Sequence, residues 1–359
     1  MNIQRLRNEL SFYSTPFKPL LFFTLLKSAF LRRRGEIAKT VDISLDTKCN
    51  MKCLHCSADT LKNDTPPMTA QDFEALAGEL DGAGVVRVNL TGGEPLLRRD
   101  FDQIIRALKP HRRYLKLQTN GVLLDRGRIE HLKRLGINAI SISLDTMDAE
   151  EYAAFRGVRP KCHTKILENI ALVKESGLQI SVSAVLTHQN LRSETIHRVI
   201  EYSREANITL LANVATASGR WQTRPDYLFD ASDREYLIGL QRRYPHVRTD
   251  HDAFGCPAVV RKIYITPQGE VIPCPFIHVS YGNVRQSSLV SIIERMKSHY
   301  PFSGMPVCPA AEGATFLNEW YPRISHAPQL PMPAEQLTTE STESVRENPF
   351  EVIGNACCR

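Results

Sequence analysis

No apolar run in this 359-residue chain stands out as a membrane span. The best candidate, "FKPLLFFTLLKSAFLRRR" (residues 17 to 34), is broken by Lys27 after about a dozen residues, short of the roughly 20 that a spanning helix needs. It has no positive region directly before it and no small-residue cleavage site after it, which argues against a secretory signal. A strong charge of one sign is also missing. The formal charge is +6, and the basic pairs and triplets (Arg32 to Arg34, Arg98-Arg99, Arg112-Arg113, Arg242-Arg243) are scattered. That argues against a dedicated nucleic-acid binder, though it suits an anionic substrate or membrane surface. Nine cysteines is an odd count in a chain of enzyme size, so a secreted disulfide framework is disfavoured against metal ligation in a reducing cytosol. The most informative absence is local. "CNMKCLHC" (residues 49 to 56) holds Cys49, Cys53 and Cys56 with no fourth cysteine nearby.

Between Val41 and about Ala217, short apolar runs rich in β-branched residues alternate with amphipathic stretches. The strand candidates are "VDISLD" (41 to 46), "VVRVNLTG" (85 to 92), "YLKLQTN" (114 to 120), "INAISISLD" (137 to 145), "LQISVSAVLT" (178 to 187) and "ITLLANVA" (208 to 215). Their near-continuous apolarity predicts strands buried on both faces. Helical patterns such as "AQDFEALAGELDGAG" and "RIEHLKRLG" close on glycine, as helix C-caps do. Six strand–helix repeats predict an α/β fold with a parallel, partial (β/α)6 barrel, short of the eight repeats of a full barrel. Such sheets gather chemistry at the C-terminal ends of their strands, and the cysteine loop directly follows the first strand. The expected division is an N-terminal amphipathic helical segment (1–38), the barrel (39–217), a connecting region (218–255), a small α+β region (256–321) and a Pro-rich linker with a disordered tail (322–359).

A [4Fe–4S] cluster held by four cysteines is coordinatively full; one held by three keeps an iron open to a small molecule. Three cysteines at this spacing also suit zinc, with His55 as the fourth ligand. "TGGEP" at the second strand end offers Gly92 and Gly93, which allow close backbone approach. It also offers Glu94, a carboxylate able to bond an ammonium, and Pro95; by itself "GGEP" reads equally as a tight turn. Together these elements resemble the radical SAM superfamily. The resemblance implies that Cys49, Cys53 and Cys56 hold a [4Fe–4S] cluster whose open iron binds S-adenosylmethionine, with His55 near adenine and Gly92 to Pro95 holding the methionine end. It further implies cofactor contacts at strand ends for Asn120 in "QTNG", for Ser143 and Asp145 in "SISLD", and for Thr187 and Asn190 in "VLTHQN". One electron would split the sulfonium and release a 5′-deoxyadenosyl radical that abstracts hydrogen. The resemblance covers residues 41 to about 215.

A second constellation lies downstream in "GCPAVVRKIYITPQGEVIPCPF", "GNV" and "VCPA": Cys256, Cys274 and Cys308, with Gly269 available for the hairpin between the first two. It resembles the auxiliary-cluster region called SPASM or, in its short form, Twitch, which implies a second [4Fe–4S] cluster. A zinc ribbon and plain buried thiols are the alternatives. Again three thiolates are countable, because Ala311 stands where a Cys-x-x-Cys pair would end. Either an open iron faces substrate or another residue completes the site; Cys357 and Cys358 in the tail are one candidate pair. Cys162 in "VRPKCHTK" is a speculative hydrogen donor to a substrate radical, against the plainer reading of a loop cysteine with no role.

Residues 17 to 34 read either as a helix lying on a membrane surface or as a cap on the open barrel. Only 48 residues precede Cys49, which leaves little room for a leader-peptide-binding domain. A small metabolite, sugar or lipid-like intermediate is therefore the expected substrate, ahead of a ribosomal peptide. The family resemblance implies a low-potential electron donor such as flavodoxin or ferredoxin. A rival class, an iron–sulfur carrier or sensor without radical chemistry, has no need for "GGEP" or for an open first cluster.

Overall fold

The computed structural model describes residues 40–61, 64–249 and 255–337. The segment 17–34, with its membrane and barrel-cap readings, the tail beyond residue 337, and Cys357 and Cys358 lie outside the described residues. Among the described residues no helix is long and apolar enough to cross a membrane.

Six strands lie where the apolar runs predict them: β1 (Thr40–Ser44), β2 (Arg87–Thr91), β3 (Tyr114–Thr119), β4 (Ala139–Ser143), β5 (Gln179–Leu186) and β6 (Thr209–Val214). Helices α1 (Ala70–Gly82), α2 (Phe101–Ala107), α3 (Arg126–Leu135), α4 (Ala149–Arg156), α5 (Lys161–Glu175) and α6 (Glu194–Glu205) connect them. Every neighbouring pair from β1 to β6 is parallel, as crossover helices require. α1 starts on a Thr69–Asp72 capping box and α3 ends on Gly136 at φ +98°. α1 departs from expectation, since its C-cap is Ala83 in right-handed geometry, with left-handed Gly84 one residue later.

The strands are not apolar on both faces. Val41, Ile43, Val88, Leu90, Leu115, Leu117, Ile140 and Ile142 face the helices and are fully buried there. The alternate positions carry Asp42, Ser44, Asn89, Ser141 and Ser181, which strand pleating directs to the concave side. A buried carboxylate costs several kcal/mol unless paired, and Asp42 is paired twice: to Lys262 Nζ at 2.8 Å and to Asn89 Nδ2 at 2.6 Å. Ser181 Oγ donates to Ser141 Oγ at 3.0 Å. The helix side therefore supplies apolar burial, and the lumen is polar.

The sheet runs past the six expected strands at both edges. α7 (Ala231–Arg243) and β7 (Val247–Arg248) lie within the region expected to be a connector, and β7 pairs in parallel with β6. On the other edge β8 (Lys262–Ile265) pairs in parallel with β1, and β9 (Val271–Ile272) returns antiparallel to β8 through a turn containing left-handed Gly269. The final order is β7-β6-β5-β4-β3-β2-β1-β8-β9. An open barrel would leave β1 as an edge with unpaired backbone groups, and β8 covers it. β10 (Val279–Ser280), α8 (Leu289–His299), the one-turn helix α9 (Pro309–Glu312) and α10 (Tyr321–Ser325) follow. β11 (Met332–Pro333) then pairs in parallel with β10. Residues 322–337, expected as linker, are thus packed, with Ile324, Met332 and Leu337 buried.

Candidate functional site

The first cysteine loop leaves β1 and is held from its sides. Gly93 N donates to Asp46 O at 2.7 Å, and Glu94 N to Lys48 O at 2.8 Å. A Cβ on Gly92 would overlap Asp46 O, and one on Gly93 would overlap Lys48 O. The two glycines therefore let backbone approach the cysteine loop itself. Lys52 N and Leu54 N donate to Arg156 O and Phe155 O, both at 3.0 Å, beside left-handed Gly157. After β6, Arg220 N donates to Cys56 O at 3.2 Å, and a Cβ on Gly219 would overlap that same carbonyl. Asn120 Nδ2 donates to Asn50 Oδ1 at 2.7 Å.

Cys49 is exposed, and Cys53 and Cys56 are half-buried. Although the residue is exposed as a whole, partial desolvation at its sulfur pushes the Cys49 thiol up, and the neighbouring Cys53, Glu94 and Cys56 add to the rise. Burial followed by Cys53 and Asp59 does the same to Cys56. The three sulfurs thus lie within electrostatic reach of one another. Thiols that oppose each other's ionisation make a donor set that charges when a cation shares it, which fits an iron–sulfur cluster. Arg156 Nη1 lies 3.7 Å from Cys53 Sγ, and its Nε donates to Asp145 Oδ2 at 2.6 Å.

The structure gives several predicted cofactor contacts a different immediate partner. Glu94 is buried, and its carboxylate accepts from Leu96 N, Thr119 Oγ1 and Asn120 N at 3.1, 2.8 and 2.9 Å. It ties the ends of β2 and β3 together, and burial raises its pKa against those three bonds. Asp145 accepts from Arg156 and from Val185 N at 3.0 Å. Thr187 and Asn190 bond each other reciprocally, Thr187 N to Asn190 Oδ1 at 2.8 Å and Asn190 N to Thr187 Oγ1 at 3.0 Å. Pro95 opens the short turn after "GGE". Ser143 ends β4, and its carbonyl accepts from Tyr152 OH at 3.3 Å. His55 stacks on Phe155 with ring centroids 4.7 Å apart and lies beside Trp221 at 5.6 Å; its Nδ1 is buried without a partner. Cys162 sits in the first turn of α5, half-buried, with its sulfur within electrostatic reach of Tyr152, as Cys53 is.

Sequence reasoning missed Arg156, Arg220, Asn50 and the Phe155–Trp221 pair. The available signals were the glycines at 157 and 219, each seated against a backbone carbonyl of the cysteine loop.

The second trio is closed. Cys256 and Cys308 are buried and Cys274 is half-buried. Cys256 N donates to Met305 O at 2.7 Å, and Gly255, at φ +76°, could carry no Cβ without overlapping that oxygen. Cys274 follows β9, and Cys308 is the N-cap of α9. Burial and then Cys256 push Cys274 up to about 12. Burial, Cys256 and Cys274 raise Cys308 well above the usual thiol range. Three thiols within electrostatic reach of one another, two of them buried, fit a cluster by the same argument.

Residues 43–203 match the model of the radical SAM superfamily, and residues 256–309 that of the SPASM iron–sulfur cluster-binding domain. A probable GTP 3′,8-cyclase of Methanocella arvoryzae is 31% identical over 176 residues, covering 49% of this chain and 56% of that relative. The matched segment thus spans little more than half that relative's length. A PqqA peptide cyclase of Granulibacter bethesdensis is 26% identical over 298 residues, covering 77% of this chain and 76% of that one. SuiB of Streptococcus suis, solved with its precursor peptide SuiA, superposes with a TM-score of 0.59 at 19% identity, over 74% of this chain and 67% of SuiB. That likeness concerns the fold.

Proposed function

This chain belongs to the radical SAM superfamily and carries a SPASM iron–sulfur domain, and from that premise we propose that it abstracts hydrogen from a small, polar organic substrate. Its cofactors are [4Fe–4S] clusters and S-adenosylmethionine. When bound, the first cluster supplies the electron that splits the sulfonium to a 5′-deoxyadenosyl radical. On this reading Cys49, Cys53 and Cys56 seat that cluster, and Cys256, Cys274 and Cys308 seat the auxiliary one. Arg156 steadies Cys53, Asn120 steadies the loop through Asn50, and Glu94 keeps the β2 and β3 ends in register beneath it.

The observation that carries the substrate class is the polar lumen. Asp42, Asn89, Ser141 and Ser181 line it, with Lys262 paired across to Asp42. These groups satisfy one another, so a lipid-like chain would find little apolar surface to bury against there, whereas a small polar molecule can share their hydrogen bonds. The relative named as a PqqA peptide cyclase supports a second reading, maturation of a ribosomal peptide.

The test is anaerobic reconstitution with dithionite and S-adenosylmethionine, assayed for 5′-deoxyadenosine with small-molecule and with peptide fractions. Stimulation by the small-molecule fraction is expected. Stimulation by the peptide fraction alone moves the assignment to the second reading. An intact cluster that yields no 5′-deoxyadenosine with either fraction sinks both.

A further inference from the structure

Tyr300 caps α8, and its backbone N–H donates to Met296 O at 2.8 Å. The residue is 3% exposed, and its ring stands edge-on to Tyr281 and Phe302, with centroids 6.4 and 5.7 Å away. Its hydroxyl is buried with no hydrogen-bond partner. A phenylalanine would fill the same aromatic niche without burying a polar group. Such an orphan therefore asks for an acceptor that the protein chain does not supply. The direction is readable from its surroundings. Besides burial, the groups that act on this hydroxyl are Cys256, Cys274, Tyr281 and Cys308, so all three auxiliary thiols lie within electrostatic reach of it. Other polar groups near the trio are engaged elsewhere: Glu312 by Arg234 and Lys262 by Asp42.

We propose that the Tyr300 hydroxyl donates a hydrogen bond to a sulfur of the auxiliary cluster and so sets that cluster's reduction potential. This rests on the reading that Cys256, Cys274 and Cys308 seat the cluster. A tyrosine hydroxyl is protonated at neutral pH, so it enters as a donor. Reduction adds negative charge to a site with little water to screen it, and an O–H dipole aimed at sulfur stabilises that added charge. Hydrogen bonds to cluster sulfurs are an established lever on potential. Tyr300 would thus be a positioning and tuning residue beside the trio.

The experiment uses the full chain, reconstituted anaerobically, as wild type, Tyr300→Phe and Cys274→Ala. Iron content and EPR-monitored redox titrations are the readouts. Tyr300→Phe should keep its iron while the auxiliary midpoint shifts to more negative potential; the first cluster's midpoint and 5′-deoxyadenosine formation should hold. In wild type exchanged into D2O, a deuteron coupled to the reduced auxiliary cluster should appear by ENDOR, and it should be missing from Tyr300→Phe. If Cys274→Ala retains the auxiliary cluster, the seat is wrong and the proposal falls with it. If Cys274→Ala loses the cluster but Tyr300→Phe leaves its midpoint and deuteron signal unchanged, the donor proposal alone is overturned. Loss of one iron from Tyr300→Phe would make the phenol a ligand and also overturn it.

Discussion

Cys49 stands exposed on a loop that neighbouring segments hold only from the sides, whereas Cys256 and Cys308 are buried within the hydrophobic core. Both trios use the same seating device: a glycine packed where a Cβ would strike a carbonyl, Gly93 on Lys48 O in one and Gly255 on Met305 O in the other. They differ in what surrounds the sulfurs. The first borders half-buried polar groups and a guanidinium, Arg156. The second borders aromatic rings and one orphan hydroxyl. Exposure suits a site that must admit a cofactor. Closure suits a site that passes electrons without meeting solvent, since a low-dielectric shell and hydrogen bonds to sulfur tune potential. One sheet carries both, because β8 of the second region is zipped onto β1 of the first.

The largest expected effects come from removing a thiol on each side. Cys53→Ala should lose about four of about eight irons per chain, as for two [4Fe–4S] clusters, and abolish 5′-deoxyadenosine formation. Cys308→Ala should lose a similar share of iron yet keep 5′-deoxyadenosine formation within a few-fold, with product formation lost. Iron analysis and the nucleoside assay decide this, and equal loss of 5′-deoxyadenosine in both variants would erase the functional distinction.

Next come the glycines. Gly93→Ala and Gly255→Ala should each lower the unfolding free energy read from urea denaturation, by about 1–3 kcal/mol of strain where left-handed backbone is required, as at Gly255. Each should also deplete its own cluster selectively in the ultraviolet–visible and EPR spectra.

An effect confined to acid, and absent at neutral pH, comes last. His278, four residues past Cys274, is buried against Thr60 Oγ1 at 3.2 Å and Pro275 O at 3.0 Å. Burial lowers its pKa to about 4 from an ordinary 6.5. The folded state therefore binds fewer protons than the unfolded one between these values. Stability is full above pH 6.5 and falls as pH drops toward 4, by on the order of 2–3 kcal/mol. Urea midpoints at pH 7 and pH 4.5 should differ more in wild type than in His278→Gln. An equal drop in both would remove His278 as a cause.

Much of this was legible in the chain. The six strand runs fall within a few residues of β1 to β6, because β-branched apolar clusters bounded by glycine-capped helices admit few other arrangements. Both trios were countable, and Gly269 marked the β8–β9 turn. β7 was not legible, since two residues carry no periodicity. The polar lumen was masked because Asp42, Ser44, Asn89 and Ser141 are isolated letters inside apolar words. The protein partners of Glu94 and Asp145 were hidden for a related reason. A carboxylate at a strand end reads as a ligand contact until its partners, Asn120 N and Arg156, arrive from 26 and 11 residues away.

The residues alone therefore determined the strand–helix alternation, the two sets of three thiols and the glycines that let loops meet, because these depend on periodicity, spacing and the absence of a side chain. Only tertiary structure decided which trio is open and which closed, that Arg156 and Tyr300 belong beside them, and that β8 joins the two regions. Each of these depends on burial and on partners distant in sequence. Solvent exclusion is a property of the packed fold, and no short stretch of sequence records it.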